Sequence, residues 1–253
     1  MDVTIDIIYE DDAIFVCRKM PGIPVQAQAV GKQDMVSMLR NYSAKKGEGR
    51  GIYLVHRLDQ PVEGIMVFAR SKEAAASLSR QLQQKCMDKQ YLALVEGIFP
   101  EPSGKLEDYL LRDGKSNTST VVSPSQKGAK LARLHYKIQK TIKEPEELAS
   151  FWAYVGNPAA LPKGAAQPLS YISISLETGR HHQIRVQMSH AGHPLVGDKK
   201  YNKNCPSGYL PIGLCSTQIS FSHPKTGKTM VFSAEPKGIL FSHPNFQLAE
   251  KNP

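Results

Sequence analysis

Two short stretches hold the side chains best suited to chemistry. The first, His56-Arg57-Leu58-Asp59, sets a carboxylate two residues after a guanidinium, just before Pro61 interrupts regular structure. Held in a cleft, such a carboxylate can serve as a nucleophile or a general base. Taken alone, it reads as a turn former or one half of a surface ion pair. The second stretch, Glu177-Thr178-Gly179-Arg180-His181-His182-Gln183-Ile184-Arg185, collects two arginines, two histidines and an amide over a turn and the first turns of a helix. Helix N-termini attract anions, and Arg180 and Arg185 add charge suited to phosphate or carboxylate. Metal ligation is not expected. His181 and His182 are adjacent and diverge on a helix, while His190 and His193 straddle a stop at Gly192, so no set shares a face at ligand spacing. Buried, hydrogen-bonded histidines and a solvated basic face account for the same residues without any chemistry.

The elements that must position these groups can be read from periodicity. Val3 to Tyr9 and Ala13 to Cys17 flank the acidic cluster Glu10-Asp11-Asp12, which predicts an opening β-hairpin. Lys19 to Val25, with two prolines, predicts an extended surface path. Asp34 to Lys45 predicts a helix, and Ile52 to Val55 a strand that runs into His56. Ile65 to Ala69 predicts a buried strand, and Ser71 caps a helix with Ala75, Leu78 and Leu82 on one face and Lys85 and Lys89 at its C-terminal end. Tyr91 to Glu96 predicts a strand closed by Gly97; residues 100–128 read as loop-rich, and Lys130 to Ile142 as a long strand. Three prolines among small and acidic residues mark 144–167 as an insertion. Tyr171 to Leu176 alternates cleanly as a half-buried strand, and Arg180 to His190 has helical spacing. Ser216 to Phe221 and Thr229 to Ser233 enclose a His223-Pro224-Lys225-Thr226-Gly227 turn. Short strands interleaved with few helices predict an α+β fold with a mixed sheet rather than a doubly wound parallel one.

Composition narrows the partners. The chain has 253 residues, 41% hydrophobic and 22% charged, enough for a real core and against disorder. No apolar run approaches the length that spans a bilayer, so no membrane association is expected. Acidic residues at positions 2 and 6 argue against a secretory leader. Cys17, Cys86, Cys205 and Cys215 show no paired spacing, which fits separate thiols in a reducing, cytoplasmic compartment. The formal charge of +9 favours a polyanion.

Read together, four blocks carry a resemblance: Arg18 to Val25; His56-Arg57-Leu58-Asp59-Gln60-Pro61-Val62-Glu63-Gly64; Lys89 to Gly97; and Thr178 to Arg185 continued by Gly192 to Tyr201. In this order they resemble the RluA-type pseudouridine synthases, and Phe221-Ser222-His223-Pro224 looks like that family's closing strand. Glu63 stands where many members carry Ser or Thr, and His181 where Thr or Ser is usual. The chain begins almost at the first block, leaving no room for the small S4 domain of many relatives, so RNA recognition is expected from the catalytic region.

The resemblance implies a single catalytic domain over 1–253, an α+β fold with a mixed, mainly antiparallel central sheet flanked by helices and loops. It implies isomerisation of a uridine in ribosomal or transfer RNA by a monomer, with no cofactor and no metal. It assigns Asp59 as the essential carboxylate, acting at C1′ or C2′ of the ribose. Arg185 is the cation that keeps this acid ionised in a water-poor site, and Tyr91 is the ring against the uracil. It gives Arg57 to the flipped nucleotide or the gap it leaves. His56, His182 and Gln183 fall to substrate binding, and Arg180, Lys199, Lys200 and Lys203 to the phosphates. Two other classes stay open on the residues alone. Asp59 paired with Glu63 or Glu177 would suit glycoside hydrolysis, although a single Trp, at 152, is poor lining for a sugar site; a non-catalytic RNA-binding module would use only the charge.

Overall fold

A computed structural model describes residues 5–27, 33–49, 51–156, 167–205 and 210–246. Val3 and Thr4 of the first expected strand, and residues 157–166 of the expected insertion, lie outside that set. In chain order the elements are β1 (Asp6–Glu10), β2 (Ile14–Lys19), α1 (Met35–Lys45), β3 (Tyr53–Leu54), β4 (Glu63–Ala69), α2 (Lys72–Gln83) and β5 (Asp88–Glu96). They continue with β6 (Ser103–Asp113), β7 (Thr118–Val122), β8 (Lys130–Ile142), α3 (Pro145–Val155), β9 (Leu169–Leu176), α4 (Gln183–His190), β10 (Leu214–Ser222) and β11 (Thr229–Ser233). The chain divides into two compact units, Met1–Gln90 with Cys215–Glu235, and Tyr91–Leu214 with Pro236–Pro253.

In the first unit the strand order is β1-β2-β4-β10, with β11 on β10 and β3 on β4. The pairings are antiparallel except β4 with β10, which run parallel where Cys215 meets Glu63 and Ser216 meets Gly64. Every residue of β4 is buried. Such a run belongs to a strand covered on both faces. On one face Ile65 and Val67 pack with Ile14, Val16, Ile219, Phe221 and Leu78 of α2. On the other, Phe15 meets Tyr42 of α1 edge-on at 6.0 Å. Both helices start on side chains that satisfy orphan amides: Asp34 accepts from Ser37 N–H in a capping box, and Ser71 accepts from Ala74 N–H.

The second unit orders its strands β5-β9-β8-β6-β7, with β9, β8, β6 and β7 paired antiparallel in turn. Helix α4 is buried from Gln183 to Met188. Helix α3 packs Phe151 edge-on against Phe246 at 5.3 Å, within the C-terminal 3-10 turns Ile239–Phe241 and Pro244–Phe246. The fold is therefore α+β with mixed, mainly antiparallel pairing, as the sequence predicts.

Four local expectations are corrected. Residues 100–128 are not loop-rich: β6 and β7 form a hairpin in which only Leu110 and Ser119 are buried, so its apolar signal is faint and its register comes from β8. Lys89 lies in β5 and is buried, because α2 ends at Gln83 and a turn through Lys85, φ +59°, redirects the chain. Lys19 ends β2 with no exposed surface, so the extended surface path starts after it. Helix α4 starts at Gln183, not Arg180, because His182 is left-handed at φ +53°. Within 144–167, a helix occupies Pro145–Val155, started by Pro at its first turn and stopped by left-handed Gly156.

Candidate active site

In the first unit Asp59 lies in the irregular link between β3 and β4 and is partly buried. A turn closes directly on it, Val62 N–H donating to the Asp59 carbonyl at 3.0 Å. The turn is docked onto Pro21-Gly22: Gly22 N–H donates to the Gln60 carbonyl at 2.9 Å, and Gln60 Nε2 donates back to the Gly22 carbonyl at 2.9 Å. Beneath it Lys19 Nζ donates to the carbonyls of Gln60 at 2.8 Å and Met20 at 3.1 Å. Burial pushes the Lys19 ammonium down to about 7, against the pull of the Asp59 and Glu63 carboxylates in the other direction. A buried amine that titrates near neutrality thus lies within electrostatic reach of Asp59 in its own unit, a neighbour that sequence reasoning missed because Lys19 opens a Pro/Gly block.

The neighbours of Asp59 divide by exposure. Arg57 is exposed and its Nη2 donates to Gln26 Oε1 at 3.3 Å. His56 is buried; its Nε2 accepts from Val67 N–H at 3.2 Å, so the ring ties the link to β4. Burial, reinforced by the charge of Lys89, pushes this imidazole down to about 3, and it stays neutral at physiological pH. Glu63 begins β4 and is buried, next to Gly64. Gly64 has φ +130°, and a Cβ there would stand 2.3 Å from the Ser216 carbonyl oxygen, so only glycine lets β10 approach at this point.

In the second unit Tyr91 is buried on β5. Arg185, on α4, is buried and bound twice to Asp198: Nε donates to Oδ2 at 2.8 Å and Nη2 to Oδ1 at 2.7 Å. The Tyr201 ring lies 5.2 Å from that guanidinium. Its hydroxyl accepts from Ser119 N–H at 2.8 Å and pairs with His182 Nδ1 at 2.7 Å. His182 is buried, stacked at 3.7 Å on His181, which bonds Ser119 Oγ and Asn117 Oδ1 on the β6–β7 hairpin. Gln183 is also buried: its Oε1 accepts from Thr178 Oγ1 and Arg180 N–H, and its Nε2 donates to the Arg133 carbonyl, which locks the turn before α4.

The four cations expected to meet phosphate are all exposed: Arg180, whose Nε leans on the Leu131 carbonyl at 2.8 Å, Lys199, Lys203, and Lys200, whose Nζ donates to the carbonyls of Ser116 and Asn117. The structure therefore brings Arg185, His182 and the Lys199-Lys200 turn into one network through Asp198 and Tyr201. Those two lie in the quoted motif but carry no signal of their own, since an acid beside two lysines reads as solvated. Among the described residues no cluster of three His, Cys, Asp or Glu side chains could hold a metal, and no helix is long and apolar enough to cross a membrane.

Against known proteins, a family model described as RNA pseudouridylate synthase matches residues 13–190. Ribosomal large subunit pseudouridine synthase D of Neisseria meningitidis serogroup A is 33% identical over 244 residues, covering 92% of this chain and 58% of that protein. The C synthases of Haemophilus influenzae and of Buchnera aphidicola (Schizaphis graminum) are 32% and 29% identical, over 90% and 94% of this chain and 64% and 69% of theirs. The chain thus spans 58% to 69% of the length of these three relatives. Two human structures, RNA Pseudouridylate Synthase Domain Containing 1 and 4, share the fold with TM-scores of 0.69 and 0.68 at 20% and 19% identity. They cover 92% and 98% of this chain, and 84% and 95% of theirs. With 178 of its 253 positions inside the family match, the chain belongs to the RNA pseudouridylate synthases, of the RluA type to which its motifs point.

Proposed function

We propose that this chain isomerises uridine to pseudouridine within ribosomal RNA, with Asp59 as its essential carboxylate. The observation that carries the reading is the Asp59 turn itself: a partly exposed carboxylate, on a link tied down at both ends, in a chain of this family. The reaction breaks the bond from C1′ to the uracil nitrogen, turns the base, and joins C5 to C1′ with loss of the C5 proton. Asp59 acts on C1′ as nucleophile or on C2′ as base, and both roles need it ionised. Beside Asp59, the reading assigns Arg57 to the nucleotide, Tyr91 to the face of the uracil, and Arg185 to the charge that develops in the reaction.

The target base must leave its stack, at a cost of a few kcal/mol that a loop or bulge lowers. Arg57, exposed beside Asp59, suits the gap that the flipped base leaves. Exposed Arg180, Lys199 and Lys200 suit phosphate contacts, whereas buried His56, His182 and Gln183 support the segments that carry the reacting groups. The ribosomal assignment follows the names of the relatives; a transfer RNA substrate is the alternative outcome of the same assay. The reading takes the chain as a cytoplasmic monomer that works without a cofactor.

The experiment is tritium release from ribosomal and transfer RNA carrying 5-tritiated uridine. The wild-type chain is expected to free label from ribosomal RNA, and Asp59→Asn to abolish release while still binding RNA. Release undiminished in Asp59→Asn would refute the assignment.

A further inference from the structure

The Arg185–Asp198 pair is 4% and 1% exposed, and its two parallel hydrogen bonds, 2.8 and 2.7 Å, fix the plane of the guanidinium. Such a pair is a weak source of stability, because removing both ions from water offsets most of their attraction. What it supplies is placement.

Asp198 is itself held on several sides. Gly197 just before it has φ +74°, and a Cβ there would lie 1.9 Å from the Pro211 carbonyl oxygen, so the chain can enter the turn only through glycine. Asp198 Oδ1 also accepts from the N–H groups of Lys200 at 2.9 Å and Tyr201 at 3.3 Å. Its carbonyl accepts from Asn202 N–H at 2.9 Å, and Asn202 Nδ2 donates to buried Glu96 Oε1 at 2.7 Å. Tyr201, fastened by its hydroxyl to Ser119 and His182, lies against the guanidinium. An aspartate so fixed, gripping an arginine with both oxygens, dictates where that arginine's remaining edge points.

We propose that Asp198 is a positioning residue for the isomerisation: it sets the plane and reach of Arg185, with Tyr201 as the supporting surface. The proposal rests on the reading above, in which Arg185 takes part in the reaction. Asp198 acts through Arg185 and does not touch the nucleotide.

The test uses the whole 253-residue chain. Tritium-release kinetics, RNA affinity by filter binding and the thermal midpoint are measured for wild type, Asp198→Asn, Asp198→Glu, Arg185→Lys and the two double variants. Each Asp198 variant is expected to lose at least tenfold in kcat, with KM and RNA affinity within threefold of wild type. Each double variant is expected to fall within twofold of Arg185→Lys alone, because a residue that acts through Arg185 has nothing left to aim. Losses that multiply in the double variants, or Asp198→Glu keeping more than half of the wild-type kcat, overturn the proposal. If Asp198→Asn does not fold, the charge-retaining Asp198→Glu series decides it. Wild-type chain that releases no label sinks the functional reading instead, whereas active wild type with unimpaired Asp198 variants sinks the positioning role alone.

Discussion

Lys19 places an amine where water does not reach, under the turn that carries Asp59. Its titration should show in stability. In the folded chain the group gives up its proton at about 7; in the unfolded chain it keeps it to about 10.4. Between those limits the unfolded state binds more protons, so stability rises with pH across the window; below it both states are protonated and the folded one bears the whole cost of burial. Lys19→Met lacks this linkage. Urea denaturation between pH 7.5 and 9.5 is therefore expected to show wild type gaining on Lys19→Met by about 1 kcal/mol per pH unit. A constant gap would mean that the ammonium is solvated. The sequence made the types of Asp59, Tyr91 and Arg185 legible, because their motifs are contiguous. Their supports were not legible: Lys19 bonds a carbonyl 41 positions away, and Asp198 grips an arginine on a different element. Nothing in a lysine before Met-Pro-Gly, or an aspartate before two more lysines, announces burial.

Elements follow the same division between local and distant causes. β4, β8 and β9 are recoverable from the chain alone, since an unbroken apolar run or a clean alternation reports its own surroundings. The hairpin of β6 and β7 is not, because adjacent Glu107 and Asp108, with Lys105, put charge on both faces of β6 and break any apolar alternation, while its register is set against β8. Gly64 belongs to the distant class too: it looks like a turn residue after Pro61 yet sits inside β4, where the parallel approach of β10 and a φ of +130° both demand it. Gly64→Ala should therefore cost about 3 kcal/mol or more in urea unfolding, by strain and by a clash with the Ser216 backbone. Gly227→Ala is the matched control. It shares a left-handed φ of +71° but has nothing within 4 Å of the added carbon, so it should cost about 1 kcal/mol. Equal losses would show that conformation alone, not the strand contact, sets the requirement.

At the scale of the molecule the relevant quantity is a formal charge of +9, with Arg180, Lys199 and Lys200 exposed around the turns that flank α4. If phosphates supply most of the affinity, binding must weaken as salt removes the gain from counterion release. The cleanest reporter is Asp59→Asn, which should bind RNA without turning it over. For about six neutralised phosphates its affinity should fall on the order of a thousandfold between 50 and 200 mM KCl. The individual lysines are distinguishable within that slope. Lys199→Ala should weaken binding to all RNA sequences alike and reduce the slope by about 1, as expected of a lone phosphate contact. Lys200→Ala should do more, because its ammonium also holds the carbonyls of Ser116 and Asn117, so its loss frees the hairpin tip as well as a charge. Amide hydrogen exchange across residues 113–119 should quicken in Lys200→Ala and stay unchanged in Lys199→Ala. A slope near zero, with both lysines silent, would mean that recognition runs through base stacking and shape, and that the basic surface is only a solvated face.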